Sequence, residues 1–104
     1  MADSMRVRAS LQDGVTSVKC LMNHPMESGL RKDRKTGEMV PAHFITEVSI
    51  MINGKSAATQ QWGVGVSKNP YLEMRFTGCK VGDLVTITWI DNQGGKDTVE
   101  TKVV

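Results

Sequence analysis

The sequence predicts an all-β protein, an immunoglobulin-like antiparallel β-sandwich of about seven strands. Short stretches alternate apolar and polar residues, turn residues separate them at intervals of about 8 to 12 residues, and no stretch has the period of a helix. With 104 residues and 11.4 kDa, the chain has the size of one domain. We therefore expect residues 1–104 to form a single domain with one core.

The first two strands are predicted from strict alternation. In residues 5–11 every second residue is apolar, and these residues are Met5, Val7, Ala9 and Leu11. Asp13 and Gly14 supply a turn, and residues 15–22 resume the pattern with Val18, Cys20 and Met22 on one side. A period of two places one side of a strand on the core and the other in water. These strands should be neighbours in one sheet.

The third strand is predicted over residues 44–52, the stretch richest in β-branched residues. The alternation places Val48, Ile50 and Ile52 on the core face, and Ile45 and Met51 on the opposite face. The Asn-Gly pair at positions 53 and 54 is a strong hairpin signal, because a type I′ turn needs positive φ at both central residues. Residues 55–62 should therefore pair back onto the third strand.

The remaining strands follow a glycine- and proline-containing loop over residues 63–70. Strands are predicted over residues 71–77, 84–90 and 97–104, with turns over residues 78–83 and 91–95. The residues expected on the core face of the first two of these strands are Leu72, Met74, Phe76, Val85, Ile87 and Trp89. Only 5% of the residues are aromatic, so aliphatic and methionine side chains are expected to fill the interior.

One long polar segment, residues 23–44, interrupts this pattern. It holds both histidines, His24 and His43, and the densest basic run of the chain. Connections longer than about 12 to 15 residues are uncommon in compact domains and tend to be functional or disordered. If residues 30–41 fold as a small hairpin around residues 33–37, the two histidines will come close together. The long segment is the predicted functional region.

The sequence gives little material for catalysis. A Cys–His pair would require Cys20, which is expected to face inward, to meet a histidine of the long segment. The glycines at positions 63 and 65 precede no predicted helix and so do not form a phosphate-binding loop. We therefore predict no enzyme activity, no catalytic residues and no cofactor.

Metal binding by the two histidines is an alternative to a purely structural role. His24 and His43 could bind a metal together with Glu27 or methionines, as in a small periplasmic metal-binding β-sandwich. The simpler interpretation is that His24 ends the second strand and His43 begins the third. A blue-copper site is disfavoured because no histidine follows Cys79. We predict no metal site and keep the small metal-binding protein as the alternative.

The two cysteines have neither the CxxC spacing of a redox site nor the paired spacing of a zinc site. Cys20 lies in the predicted second strand, whereas Cys79 lies in the turn before the sixth. The usual disulfide of an immunoglobulin domain joins the second and sixth strands. Two ordinary thiols are therefore the simpler expectation, and a bridge between them stays open.

Charge and hydropathy exclude two classes of partner. The net charge of +2 is small and interspersed, unlike the basic stripe of a nucleic-acid-binding surface. No apolar run approaches the ~18 to 20 residues that cross a bilayer, and residues 1–11 lack the apolar core of a secretory signal. We expect a soluble chain without an export signal of its own, which binds neither nucleic acid nor membrane.

A protein partner is the remaining possibility. Met26, Met39 and Val40 would give contact area, Arg31 and Lys32 would anchor polar groups, and the prolines would restrain the bases of the segment. The candidate partner-binding residues are His24, Pro25, Met26, Glu27, Arg31, Lys32, Met39, Val40, Pro41, Ile45, Met51, Val64 and Val66. Singly scattered apolar residues are normal, whereas a contiguous patch would mark an interface.

Four stretches of the sequence carry a family resemblance. They are His24-Pro-Met-Glu-Ser-Gly-Leu-Arg-Lys-Asp33, Pro41-Ala-His-Phe-Ile45, Ser67-Lys-Asn-Pro-Tyr71 and Trp89-Ile-Asp-Asn92, together with Trp62-Gly63. With these motifs the chain closely resembles the SoxZ family, a subunit of the SoxYZ sulfur-carrier complex of bacterial thiosulfate oxidation. The resemblance covers essentially the whole chain, and the first stretch is its most specific part.

The resemblance implies a non-catalytic subunit that pairs with SoxY, whose C-terminal Gly-Gly-Cys-Gly-Gly arm carries the sulfur intermediates. This chain ends at Val104 without such an arm, so the resemblance makes it the partner that carries no sulfur. It also implies a periplasmic protein exported together with a signal-bearing SoxY, a large apolar interface, and transient contacts with other thiosulfate-oxidation enzymes. Cys79 departs from the family pattern. Without its partner, the chain could form homodimers.

Overall fold

In the computed structural model, which describes residues 4–104, seven strands form two antiparallel sheets. The strands are β1 (Met5–Gln12), β2 (Val15–Met22), β3 (Ile45–Ile52), β4 (Lys55–Gln61), β5 (Tyr71–Thr77), β6 (Leu84–Asp91) and β7 (Lys96–Lys102). The predicted all-β sandwich is confirmed, and each predicted strand agrees with an observed one to within a few residues. No helix in residues 4–104 is long and apolar enough to cross a membrane.

One sheet has the strand order β1-β2-β5 and the other has the order β4-β3-β6-β7. The end of the chain ties the two sheets together along the side where β1 and β7 meet. There the Val104 N–H donates to the Ala9 carbonyl at 3.0 Å, and the Leu11 N–H donates to the Val104 carbonyl at 2.9 Å. The long segment leaves from the end of β2 and returns to the start of β3, and these two points lie close together, since His24 and His43 both contact Asp91.

The core lies between the inward faces of the two sheets. Apart from Thr16, its fully buried side chains are aliphatic, thiol or methionine groups, and the largest of them are Met22, Ile45, Ile50, Ile87, Val18, Val48, Val85 and Val103. Within residues 4–104, Trp89 is the one aromatic residue of the buried core. The prediction that aliphatic and methionine side chains fill the interior is confirmed.

The prediction for Ile45 is wrong. Alternation places it on the outward face of β3, yet its side chain is fully buried. The register with β6 explains the difference: Ile45 pairs with Asp91 and Glu47 pairs with Ile90, so Thr46 has no partner. This β-bulge adds one residue and reverses the side on which Ile45 lies. Met51 does lie outside the core, as predicted.

The turn between β3 and β4 has the predicted geometry. Asn53 and Gly54 have φ values of 53° and 80°, which confirms the predicted turn.

The two cysteines are not bonded to each other. Cys20 is buried in β2 and Cys79 is partly exposed in the turn before β6, and both are free thiols. The possibility of a bridge, which the sequence leaves open, is therefore not realised in this structure.

Candidate functional site

The long segment (residues 23–44) leaves the end of β2, folds back on itself and returns to the start of β3. Its two arms are joined near the sandwich by paired backbone hydrogen bonds of 2.7 and 2.8 Å between Glu27 and His43. Further out, Lys32 and Met39 form a second antiparallel bridge. The predicted small hairpin is confirmed, and we call its outer part, residues 31–40, the tip.

The tip closes through local hydrogen bonds that its sequence encodes. The Gly37 N–H donates to the Asp33 carbonyl at 2.9 Å, with Gly37 at a φ of 74° that few other residues adopt readily. The Asp33 carboxylate accepts the N–H groups of Lys35 and Thr36 at 2.7 and 3.2 Å. These bonds lower the pKa of Asp33. The predicted turn around residues 33–37 is confirmed.

Two histidines and an aspartate hold the base of the long segment. Nε2 of His24 lies 3.1 Å from Oδ2 of Asp91, and Nε2 of His43 lies 2.8 Å from the same oxygen. His24 and Asp91 are buried, whereas the His43 side chain is 34% exposed. We call these three residues the anchor. The sequence predicts the approach of the two histidines, but it does not identify Asp91, which lies in a predicted turn.

The tautomer of His24 follows from its second nitrogen. The backbone N–H of Met26 donates to His24 Nδ1 at 3.1 Å, so Nδ1 must carry a lone pair. Nε2 therefore carries the proton and donates it to Asp91. The His24 ring thus donates to Asp91 on one side and accepts from Met26 on the other.

Asp91 remains charged because its carboxylate is fully hydrogen-bonded. Burial by itself would raise its pKa, but hydrogen bonds from His24, Gly95, His43 and Gln93 outweigh burial and lower the pKa to about 2. Oδ1 accepts the N–H groups of Gly95 and Gln93 at 2.7 and 3.0 Å. Gly95 must stay a glycine here, because a Cβ at this position would lie 2.5 Å from Asp91 Oδ2.

The anchor has the composition of a metal site but a hydrogen-bonding pattern that opposes metal binding. One ligand atom from each of His24, His43 and Asp91 lies within 4.8 Å of the others. To coordinate through Nε2, however, His24 would have to move its proton to Nδ1, where it would oppose the Met26 N–H. The sulfur of Met26 accepts the Ile45 N–H at 3.3 Å, and Glu27 pairs with Arg31 at 2.8 Å. Neither residue belongs to this cluster.

The predicted partner-binding residues divide by exposure. His24, Met26 and Ile45 are buried, so the surface placement of Met26 is also wrong. Met26 has a φ of 48°, and its sulfur lies under the start of β3. Half-buried are Glu27, Val40, Met51 and Val66, and exposed are Pro25, Arg31, Lys32, Met39, Pro41 and Val64. Partner contact stays a prediction for these two groups.

Among the exposed apolar residues that sequence reasoning missed, three lie near the long segment or on one sheet face. Leu30 is 80% exposed beside the tip, and Leu21 and Tyr71 are 51% and 57% exposed. Leu21 pairs directly with Tyr71 across β2 and β5. The alternation of β2 and β5 contains this signal, because both residues fall at positions opposite the core face.

The buried thiol of Cys20 is a poor nucleophile. Burial raises the pKa of Cys20 to about 11, so almost none of it is thiolate at neutral pH. Cys79 is partly exposed in a turn and forms no disulfide.

Comparison with known proteins gives a single consistent finding. The family described as "Sulphur oxidation protein SoxZ" matches residues 5–102. This match spans all seven strands and the whole of the long segment. No curated protein sequence matches the chain.

Proposed function

The chain belongs to the SoxZ family of sulphur oxidation proteins, and from this premise we propose that it is the non-catalytic subunit of a heterodimeric sulfur carrier. Family membership implies that the chain takes part in sulfur oxidation. In the proposed role it binds and supports a SoxY subunit, whose C-terminal cysteine arm carries the sulfur intermediates. It also helps to present that arm to the enzymes of thiosulfate oxidation.

The match over residues 5–102 is the observation that carries this proposal. The state of the cysteines supports it, since a carrier thiol must be accessible and readily ionised. Cys20 is buried with a raised pKa, and Cys79 sits in a short turn rather than on a flexible arm. The anchor also supports the non-catalytic role, because the Asp91 carboxylate is already hydrogen-bonded to residues that hold the fold together. In the proposed role, the partner supplies the reactive thiol.

The shape of the long segment supports a role in contact. The molecule measures 52 × 22 × 22 Å, whereas an eight-residue strand spans only about 27 Å. The paired arms of the long segment thus extend the molecule beyond the ends of the strands. The tip exposes Met39, which is 53% exposed, together with Arg34 and Lys35, and Leu30 beside the tip is 80% exposed. Apolar and basic groups that project together suit contact with another protein.

The proposal includes a location and an interface type. We place the working complex in the periplasm, which this chain would reach by export together with a signal-bearing partner. Export as a folded pair requires the heterodimer to form beforehand and to persist. Its interface should therefore be of the permanent kind, above ~2,000 Å² and largely apolar.

The test is to locate the sulfur. The chain is co-expressed with a tagged SoxY subunit, incubated with thiosulfate and the purified oxidising enzymes, and analysed by intact-mass spectrometry. Mass increments are expected on the partner chain alone. A Cys20→Ala, Cys79→Ser variant should support the same rate. Sulfur adducts on this chain, or loss of turnover in a variant that still forms the heterodimer, would refute the non-carrying role.

One observation favours a second candidate function, metal binding: the three potential ligand atoms of the anchor. The deciding measurement is metal analysis of the purified protein and of a His43→Ala variant, which removes the partly exposed ligand. Stoichiometric metal that is lost in the variant would support this second candidate. The carrier-subunit proposal predicts no stoichiometric metal in either protein.

A further inference from the structure

The outward face of the β1-β2-β5 sheet is unusually basic. The strand register places its side chains in rows that cross β1, β2 and β5. One row consists of Arg6, Leu21 and Tyr71, and the next consists of Arg8, Lys19 and Glu73. Further along the sheet, Arg75 is also exposed. This face thus carries four basic side chains, Arg6, Arg8, Lys19 and Arg75, and one acidic side chain, Glu73. We call it the basic face.

The other sheet provides an internal comparison. The outward face of β3, β6 and β7 carries two acidic and two basic side chains, which are Glu47, Glu100, Lys96 and Lys102. Its centre consists of serine and threonine residues such as Ser49, Thr86 and Thr88. Charges of both signs interspersed over a sheet are typical of a surface that faces only water. The positive excess of the basic face is therefore larger than that of the outward face of β3, β6 and β7.

Two of these charges oppose each other directly. Arg8 and Lys19 are register partners on β1 and β2, and like charges directly opposite in a sheet are destabilising. Within residues 4–104, no carboxylate lies within 4.0 Å of Arg6, Arg8 or Lys19, whereas Glu73 pairs with Arg75 at 3.7 Å. Glu73 on β5 is the register partner of Lys19 on its other side, so Arg6 and Arg8 are the charges that the carboxylates of a second molecule would neutralise.

Apolar groups and a groove accompany these charges. Leu21 and Tyr71 are paired neighbours, both more than half exposed, in the row that contains Arg6. A shallow, open groove of about 290 Å³ is lined by Arg6, Val7, Arg8, Lys19, Leu21 and Tyr71. A second open groove, of about 400 Å³, shares Arg6 and Leu21 and continues toward Asn69. Tyrosine and arginine, together with tryptophan, are the residues most enriched among the hot spots of protein interfaces.

We propose that the basic face is a transient docking surface for an acidic surface of another protein, with Leu21 and Tyr71 as its apolar centre. A permanent interface is largely apolar and depleted of charge, so this face does not suit an obligate subunit. Unpaired charges instead accelerate encounters and make them sensitive to salt. Resting on the proposed function, the inference assigns this face to an enzyme that acts on the assembled carrier.

The experiment compares two matched charge reversals in the assembled heterodimer. Arg8→Glu with Lys19→Glu changes the basic face, and Lys96→Glu with Lys102→Glu makes the same change of charge on the other sheet. Heterodimer formation is measured by size exclusion. The kcat/KM of each purified thiosulfate-oxidising enzyme for the carrier is then measured at low and at physiological salt. A Tyr71→Ala variant tests the apolar centre.

The inference predicts that Arg8→Glu with Lys19→Glu lowers kcat/KM for at least one enzyme by about tenfold or more. The kcat/KM of this variant should also depend less on salt than that of the wild type. The second pair should change kcat/KM by less than about twofold, and both variants should form the heterodimer. An equal loss of kcat/KM in both double variants would show an effect of total charge and overturn the inference. An unchanged kcat/KM in both double variants would overturn it as well. Failure of the first pair alone to form the heterodimer would assign the face to the carrier subunit instead.

Two further controls test whether nucleic acid or a membrane binds the basic face and whether the proposed function itself holds. Binding of the wild-type heterodimer to duplex DNA or to phosphatidylserine vesicles, if lost in the Arg8→Glu, Lys19→Glu variant, would assign the face to nucleic acid or membrane and overturn the inference. If the wild-type chain fails to bind any SoxY subunit, the proposed function itself fails. That outcome differs from a docking defect in an intact heterodimer.

Discussion

Asp91 joins three parts of the chain that are distant in sequence. It binds the end of β2 through His24, the start of β3 through His43, and the turn before β7 through Gln93 and Gly95. A charged group with this burial is stabilising only while its hydrogen bonds are complete. We therefore expect the long segment to depend on this carboxylate more than on any single apolar contact.

The first prediction concerns Asp91→Asn. An amide has only one acceptor oxygen, so its NH₂ group must oppose either the histidine N–H groups or the backbone N–H groups. Since the pKa is lowered from near 4 to about 2, loss of the carboxylate should reduce the free energy of unfolding by about 2 kcal/mol at pH 7. The measurement is chemical denaturation of both proteins. Asp13→Asn, in an exposed turn, is the control.

The lowered pKa of Asp91 also determines how the free energy of unfolding depends on pH. A carboxylate whose folded-state pKa lies below its unfolded-state pKa stabilises the fold above the unfolded value, and this contribution disappears as the pH falls through the folded value. The difference between the wild type and Asp91→Asn should therefore be constant near neutrality and shrink between about pH 4 and pH 2. A difference that grew on acidification would contradict this account of the anchor.

Thr16 gives a second prediction at this scale. Its side chain is fully buried in β2, and its hydroxyl has no hydrogen-bond partner within residues 4–104. Thr16→Val keeps the shape and removes the unsatisfied group, so we expect the free energy of unfolding to rise by about 1 kcal/mol. In the control, Thr88→Val, the hydroxyl lies 3.1 Å from that of Thr98. That substitution should bring no gain, and a lower stability for Thr16→Val would show that its hydroxyl is satisfied.

At the scale of elements, strands were predictable and irregularities were not. The alternation that predicts β1, β2, β5 and β6 is local, because each inward position depends only on its neighbours two residues away. The bulge at Thr46 depends instead on pairing with β6, some 45 residues later, and it moved Ile45 into the core. Met26 was likewise buried by a positive φ that apolar periodicity does not encode.

The tip gives the third prediction. The Val40 N–H donates to the Arg31 carbonyl at 2.7 Å, which is the geometry that closes a two-residue hairpin turn. Replacing residues 32–39 by Asn-Gly should therefore preserve the anchor and change the free energy of unfolding by less than about 1 kcal/mol. Binding to the partner or to a docking enzyme should weaken, as measured by titration. A full-length Arg34→Ser, Lys35→Ser variant separates the loss of charge from the loss of length. Unchanged binding in the shortened chain would remove the tip from the contact surface.

At the scale of the whole molecule, the sandwich positions two different surfaces. The long segment extends from one end and combines exposed apolar groups with basic ones, and the basic face lies along β1, β2 and β5. The sequence predicts the first surface, because a long polar segment is visible as a break in periodicity. It does not predict the second, since the opposition of Arg8 and Lys19 depends on strand register. Asp91 was missed for the same reason: only the folded chain brings the turn before β7 to the histidines.

The central claim is that this chain is a permanent partner of a sulfur-carrying subunit. The most direct measurement is the dissociation constant for a purified SoxY subunit, obtained by diluting the heterodimer and following its mass by native mass spectrometry. A permanent, largely apolar interface predicts an intact heterodimer at about 10 nM. Dissociation in the micromolar range, or no heterodimer after co-expression of two folded chains, would contradict the account.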